Sequence, residues 1–168
     1  MSSEQGVGGS NPSAGTKSVT LTIMDELKKS VVTGILVKNS DGQLLLVKKP
    51  DGIGPYAGTY LTPGGGVETG EAADDAALRE LYEETGVKIK NLKRVFFDDD
   101  ITDNWQGIPR HYIMLMYTAD YVSGDLHPTE GDDDNLEVIK WFSKNELGSI
   151  PLSPPLVKLL KTTGDLTD

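Results

Sequence analysis

The chain alternates between short apolar runs and stretches rich in glycine and charge, a pattern typical of strands separated by turns. The turn sequence Asp41-Gly42 lies between two of these runs and predicts a β-hairpin. A longer polar stretch, DDDITDNWQGIP (98–109), predicts a loop between two later strands. The predicted strands are VVTGILV (31–37), QLLLVKK (43–49), TYLT (59–62), VKIKNLKRVFF (87–97), HYIMLMYTADYV (111–122) and LEVIKWF (136–142).

Two segments have helical spacing instead. One lies within GGGVETGEAADDAALRELYEETGV (64–87) and ends at Gly86, and the other lies near PPLVKLLKTT (154–163). At about 100° per residue, one side of the first helix is apolar and is expected to pack, while three glutamates lie opposite. The apolar set is Leu78, Leu81 and Thr85, and the acidic set is Glu80, Glu83 and Glu84. Strands and helices in this order predict an α+β fold in which helices cover a mixed sheet.

The chain is predicted to contain one folded domain. Residues 1–17 are rich in glycine and serine and offer little to bury, so we interpret them as a flexible tail or a cloning remnant. Residues 18–168 are long enough to form a single domain with a substantial core.

The amino-acid composition limits the chemistry and the binding partners that are possible for this protein. Cysteine is absent, which excludes disulfides, thiolate metal sites and cysteine nucleophiles. The 26 acidic and 16 basic residues give a net charge of −10, which opposes binding to long nucleic acids. The sequence has no apolar run of membrane-spanning length, and its polar start does not resemble a signal peptide. We expect a cytoplasmic monomer or homodimer that acts on a small molecule and has no membrane partner.

Glu80, Glu83 and Glu84 are unfavourably placed for a simple surface helix. Glu80 has like charges three and four residues later, and all three carboxylates lie where the helix dipole disfavours anions. A solvated acidic face is one interpretation. A metal site is the other, because a divalent cation would turn repulsion into attraction, and oxygen ligands suit Mg²⁺ or Mn²⁺. The glycines at 64–66 would allow backbone to approach a ligand closely.

The same segment resembles the signature of the Nudix hydrolases. Gly65 is followed by five residues and Glu71, then by seven residues and RELYEETGV (79–87), so every defined position of the Nudix box is filled. The resemblance extends over roughly residues 30–150. It implies a Nudix-type α/β/α sandwich with a mixed sheet. It also implies Mg²⁺- or Mn²⁺-dependent hydrolysis of a phosphoanhydride bond, in a nucleoside triphosphate or a nucleoside diphosphate linked to another group.

The resemblance also implies roles for individual residues. Glu80, Glu83 and Glu84 would bind the metal, with the carbonyl of Gly65 as a further ligand. Arg79 would orient Glu83. Glu71 occupies a position that is more often structural than metal-binding in the family.

Residues outside the box supply further candidates. Glu137 is the first candidate for the general base, with an exposed strand residue as the alternative interpretation, and Glu130 or Asp133 would take its place. Lys48 or Lys49 would meet a substrate phosphate. Trp105 would stack on a base, unless it packs against the next strand, and Arg110 would contact a phosphate.

The substrate is set outside the box in this family, and the sequence does not define it. ADP-ribose hydrolases often have a proline about fifteen residues after the box, where this chain reads ITDN (101–104). The acidic charge disfavours capped RNA, although a short 5′ end could still fit, and the absence of cysteine argues against the isomerase branch of the fold. The alternative function is a catalytically silent, Nudix-like nucleotide-binding regulatory module, although such modules usually have a damaged box.

Overall fold

Six strands, two α-helices and a 3₁₀ helix form the described part of the chain in this computed structural model, which comprises residues 27–52, 54–104, 106–127 and 136–167. Neither α-helix is long and apolar enough to cross a membrane. The strands are β1 (Lys29–Lys38), β2 (Leu44–Lys48), β3 (Tyr60–Leu61), β4 (Lys88–Asp103), β5 (Pro109–Ser123) and β6 (Val138–Phe142). The helices are α1 (Ala73–Thr85), α2 (Pro154–Thr163) and the 3₁₀ helix Lys144–Ser149. The predicted tail, residues 1–17, lies outside the described residues.

The strands form one mixed sheet with the order β3-β2-β1-β5-β4, and β6 also pairs with β2. β1 and β5 run parallel over their pairing from Lys29↔His111 to Lys38↔Asp120, whereas the other pairs are antiparallel. The predicted hairpin joins β1 to β2. Its Gly42 has a φ of 76°, and Asn39 N–H donates to the Gln43 carbonyl at 3.0 Å.

The two faces of the sheet carry separate apolar cores, each closed by one helix. On one face, α2 packs Leu156, Leu159 and Leu160 with Leu36, Leu46 and other sheet residues. On the other face, α1 packs Ala77 and Leu81 against residues that include Ile35, Val37 and Tyr117. This layering confirms the α/β/α sandwich, because an amphipathic helix must bury its apolar side against each apolar face of the sheet.

The packed side of α1 differs from the predicted one. Leu81 and Thr85 are buried, but Leu78 is 43% exposed and Glu84 only 2% exposed. The small side chains of Ala76 and Ala77 are fully buried and pack α1 closely against the rest of the fold, which rotates Leu78 outward. The prediction that all three glutamates face away from the packed side was therefore wrong for Glu84.

The predicted loop at 98–109 was also wrong in its first half, where β4 continues to Asp103. Its acidic residues find partners on neighbouring elements, since Asp98 pairs with Lys158, Asp99 with His111, and Asp100 accepts the Tyr56 hydroxyl. These contacts offset the low strand propensity of aspartate. The turn itself is short, and the Asn104 side chain accepts the backbone N–H groups of Gln106 and Ile108.

Candidate active site

The glycine loop before α1 is hydrogen-bonded directly to the central strand β1. Its residues 63–67 run beside β1, with Ile35 N–H donating to the Pro63 carbonyl at 2.9 Å and Thr33 N–H to the Gly65 carbonyl at 2.8 Å. Gly64 has a φ of 146°, and a Cβ atom there would collide with the Thr33 carbonyl oxygen. Only glycine therefore fits this close approach, which fixes the loop between β1 and α1.

Two glutamates of α1 meet this loop from the other side. Oε2 of Glu84 accepts the backbone N–H of Gly64 at 2.7 Å, although the residue is almost fully buried. The carboxylate of Glu80 lies against Gly65, where a Cβ atom would collide with its oxygens. The loop glycines thus leave space for carboxylates rather than for side chains of their own.

Arg79 connects the carboxylates. Its Nε and Nη2 donate to the two oxygens of Glu71 at 2.8 and 2.9 Å, and Nη1 donates to Glu80 at 2.8 Å and Glu83 at 3.1 Å. Nη2 also donates to the Gly66 carbonyl at 2.9 Å. The hydrogen bond to Glu71 is the main reason why the pKa of Arg79 lies above its usual value. We call this set, Arg79 with Glu71, Glu80 and Glu83, the Arg79 cluster.

The predicted metal ligands suit a hard divalent cation in their chemistry. Glu80, Glu83 and Glu84 offer carboxylate oxygens along one helix, beside a glycine cradle that a Cβ atom would fill. Among the described residues, no three acidic or histidine side chains converge closely enough to enclose an ion. Glu80 and Glu83 are instead turned toward Arg79. The metal assignment therefore stays a prediction.

A cleft of about 760 Å³ extends from this loop across the sheet to the start of α2. Its polar end is lined by Gly64, Gly65 and Glu84. Elsewhere it is lined mainly by apolar and aromatic side chains, among them Tyr56 and Tyr112. A cleft with one charged end and one largely apolar end fits an amphipathic ligand, such as a phosphorylated compound with an aromatic group.

Of the predicted phosphate-binding residues, one lines the cleft and two do not. Lys49 lines the cleft, whereas Lys48 donates to Oε2 of Glu137 at 2.9 Å, an interaction that raises the pKa of Lys48. Neither Lys48 nor Glu137 is among the described residues that line the cleft, and the Glu137 side chain is 51% exposed. Arg110 donates to the Ser30 hydroxyl at 2.8 Å and also lies outside the lining.

Of the remaining predicted residues, the structure describes only Gly65. Trp105, Glu130 and Asp133 lie outside the described residues. The Gly65 carbonyl accepts the Thr33 N–H at 2.8 Å and the Thr33 hydroxyl at 3.4 Å, so its predicted place among the metal ligands would require the longer hydrogen bond to be given up. Tyr56 lines the cleft but was not among the predicted residues, and its position between Gly54 and Gly58 in a glycine-rich loop was the available signal.

Comparison with known proteins identifies the family of this chain. Residues 28–162 match the NUDIX domain. The chain is 34% identical over 126 residues to the NAD-capped RNA hydrolase NudC of Pseudomonas aeruginosa, covering 75% of this chain and 40% of that protein. It is 37% identical over 119 residues to the ADP-ribose pyrophosphatase of Methanocaldococcus jannaschii, covering 69% and 62% of the two chains.

A solved structure shows the same fold. The MutT NUDIX hydrolase of Burkholderia pseudomallei superposes with a TM-score of 0.67 at 29% identity, covering 80% of this chain and 98% of that chain. The chain therefore belongs to the Nudix family. It spans about 40% of the length of the NudC relatives, so their activity is not transferred to it directly.

The Arg79 cluster predicts an acid-sensitive contribution to stability. Hydrogen bonds from Arg79, and a weaker one from the Glu68 backbone N–H, lower the pKa of Glu71 from 4.5 to about 2. A lowered pKa gives a stabilisation that is present above the unfolded value and is lost as pH falls toward the folded value. The melting temperature of the wild type should therefore fall more steeply than that of Glu71→Gln as pH decreases from about 5 toward 2.

Differential scanning fluorimetry across this pH range measures the effect, with Glu68→Gln in the same loop as the control. The control should follow the wild type. Parallel curves for wild type and Glu71→Gln would show that the ion pair with Arg79 does not contribute to stability.

Proposed function

We propose that this protein is a metal-dependent hydrolase of phosphoanhydride bonds in nucleoside diphosphates linked to another group, or in nucleoside triphosphates. The observation that carries the proposal is the position of the buried carboxylate of Glu84 at the polar end of the large cleft. Glu84 lines the cleft beside Gly64 and Gly65, and Arg79 binds Glu80 and Glu83 on the same helix. An acidic helix that only faced solvent would not place a buried carboxylate in a cleft.

The relatives support the type of bond. The names of two of them refer to NAD-capped RNA and to ADP-ribose, and both compounds contain an adenosine diphosphate joined to a second group. The shared chemistry is the diphosphate bridge. The missing proline at 101–104 and the acidic charge remain arguments against simply adopting either substrate.

Some of these residues would bind the metal, and others would orient the metal ligands or add positive charge. Glu80, Glu83 and Glu84 would hold Mg²⁺ or Mn²⁺. The bound cation would neutralise phosphate oxygens and lower the pKa of the attacking water. Arg79 limits the rotamers of Glu80 and Glu83, and Lys49 adds positive charge to the cleft. No covalent intermediate with the protein is required.

Glu83→Gln and Glu84→Gln should each lower kcat by at least about a hundredfold, because each removes a charged ligand but keeps the size of the side chain. Product formation from ADP-ribose, NADH and nucleoside triphosphates is followed by chromatography. Circular dichroism and melting curves check that both variants fold, and Glu68→Gln is the matched control. Turnover within a few-fold of wild type in either variant would remove that residue from the metal site.

Saturating Mg²⁺ or Mn²⁺ should raise the melting temperature. An ion that binds only the folded state adds about 2.7 kcal/mol to the free energy of unfolding when its concentration is a hundred times its Kd. The double variant Glu83→Gln/Glu84→Gln should lose most of this shift. A regulatory module that bound nucleotide without metal would show hydrolysis in neither condition and no shift with metal. Unchanged melting together with EDTA-insensitive hydrolysis would contradict the metal mechanism.

Glu137→Gln should lower kcat more than it changes KM, and should alter the acidic limb of the pH profile, if Glu137 is the general base. Its pairing with Lys48 requires that the side chain turn toward the cleft during the reaction. Normal kcat in this variant, with a loss in Glu130→Gln or Asp133→Asn, would assign the base to one of those residues. Normal rates in all three variants would assign it to the glutamates of α1.

A further inference from the structure

Tyr56 is held in an unusual conformation at the wall of the cleft. Its φ of 60° is rare for a residue with a side chain, and the loop around it contains Gly54 and Gly58, which also have positive φ. The backbone N–H and the hydroxyl of Thr59 both donate to the Tyr56 carbonyl, at 3.1 and 2.6 Å. Residues with such strained backbone conformations cluster at ligand sites, where the surrounding structure offsets the strain.

The hydroxyl of Tyr56 is committed as a hydrogen-bond donor. It donates to Oδ2 of Asp100 at 2.6 Å. Partial burial raises the pKa of Tyr56, and the hydrogen bond to Asp100 raises it further, so the phenol keeps its proton. A phenol oxygen whose proton is already donated can only accept hydrogen bonds from a ligand. Asp100 therefore makes the Tyr56 hydroxyl oxygen a hydrogen-bond acceptor toward a ligand.

Aromatic and apolar side chains favour a flat group at this part of the cleft, and Lys49 lines the same cleft with its charge near Tyr112. Tyr112 lies opposite Asp100 in the pairing of β4 and β5, and it lines the cleft together with Pro155 and Leu156. α2 begins with Pro154 and Pro155, which have no N–H to offer an anion. Aromatic and apolar walls of this kind are suited to stacking a nucleobase.

We propose that Tyr56 is a specificity-determining residue that selects a nucleobase with an exocyclic amino group, such as adenine, and that Asp100 is its positioning residue. The ring of Tyr56 contacts the base, and its oxygen accepts the amino N–H. A base with a carbonyl at that position, such as hypoxanthine, presents an acceptor to an acceptor. The inference rests on the proposed function, since it assumes that a nucleotide enters the cleft with its phosphates toward Glu84.

Binding of AMP and IMP tests the inference apart from catalysis, because neither compound contains a phosphoanhydride bond. The two nucleotides differ at the position in question, where AMP has an amino group and IMP a carbonyl. Calorimetric titration of the full chain with Mg²⁺ present should give about fivefold tighter binding of AMP, as expected for one net hydrogen bond. Equal affinities, or no binding of either nucleotide, would overturn the proposal.

Three variants assign the selectivity to Tyr56. Tyr56→Phe keeps the ring, so AMP should weaken about fivefold while IMP is unchanged. Asp100→Ala frees the hydroxyl proton to donate to the IMP carbonyl, so the preference should disappear or reverse. Tyr82→Phe makes the same chemical change at an exposed residue of α1 and should behave as wild type. A purely structural effect would weaken AMP and IMP equally, and that result in Tyr56→Phe would contradict the proposal.

The two proposals fail separately. AMP selectivity without hydrolysis of any diphosphate substrate would sustain the assignment of Tyr56 and refute the catalytic function. Hydrolysis with equal kcat/KM for NADH and its hypoxanthine analogue, and equal binding of AMP and IMP, would refute the assignment of Tyr56 alone.

Discussion

The guanidinium of Arg79 holds together carboxylates that would otherwise repel one another. Glu71 comes from the loop before α1 and accepts two hydrogen bonds from it, while Glu80 and Glu83 come from the helix itself. The same guanidinium binds the Gly66 carbonyl, so it also ties the glycine loop to the helix. Without this cation, the carboxylates of Glu71, Glu80 and Glu83 would repel one another, and the Gly66 carbonyl would lose its side-chain donor.

The glycine loop supplies the second constraint. Because Gly64 lies against the Thr33 carbonyl, the loop follows β1 closely and presents the Gly64 N–H to Glu84. A carboxylate that is 2% exposed is costly to bury, and this charge-assisted hydrogen bond offsets part of the cost. The position of Glu84 at the cleft therefore depends on β1, the loop and α1 together.

The sequence predicted the layers of the fold, because these are encoded in local patterns of apolar and polar residues. Gly86 ended α1 as expected, Asp41-Gly42 formed its turn, and Arg79 of the box binds Glu83 as the resemblance implied. The burial of Glu84 and the exposure of Leu78 were not predictable from helix periodicity, since both depend on how closely the alanines approach their neighbours. The extension of β4 and the bond between Tyr56 and Asp100 depend on partners distant in sequence, which no local pattern reveals.

The cleft combines residues that local sequence patterns identify with residues that only the fold brings together. Its polar end is built from the box, which the sequence identifies, and its aromatic part is built from a glycine-rich loop, β5 and the start of α2, which only the fold brings together. This division matches the proposed reaction, in which the diphosphate is common to many compounds and the attached groups vary. The reaction type is therefore better defined by the sequence than the substrate is.

The most direct test of the account is hydrolysis of ADP-ribose in ¹⁸O-labelled water with Mg²⁺ or Mn²⁺, with products identified by mass spectrometry. Cleavage of the phosphoanhydride by activated water predicts AMP and ribose 5-phosphate, with the label in a phosphate group of one of them and no product when the metal is chelated. Release of adenine, label in a sugar hydroxyl, or no turnover of this or any other nucleoside diphosphate derivative with either metal would contradict it.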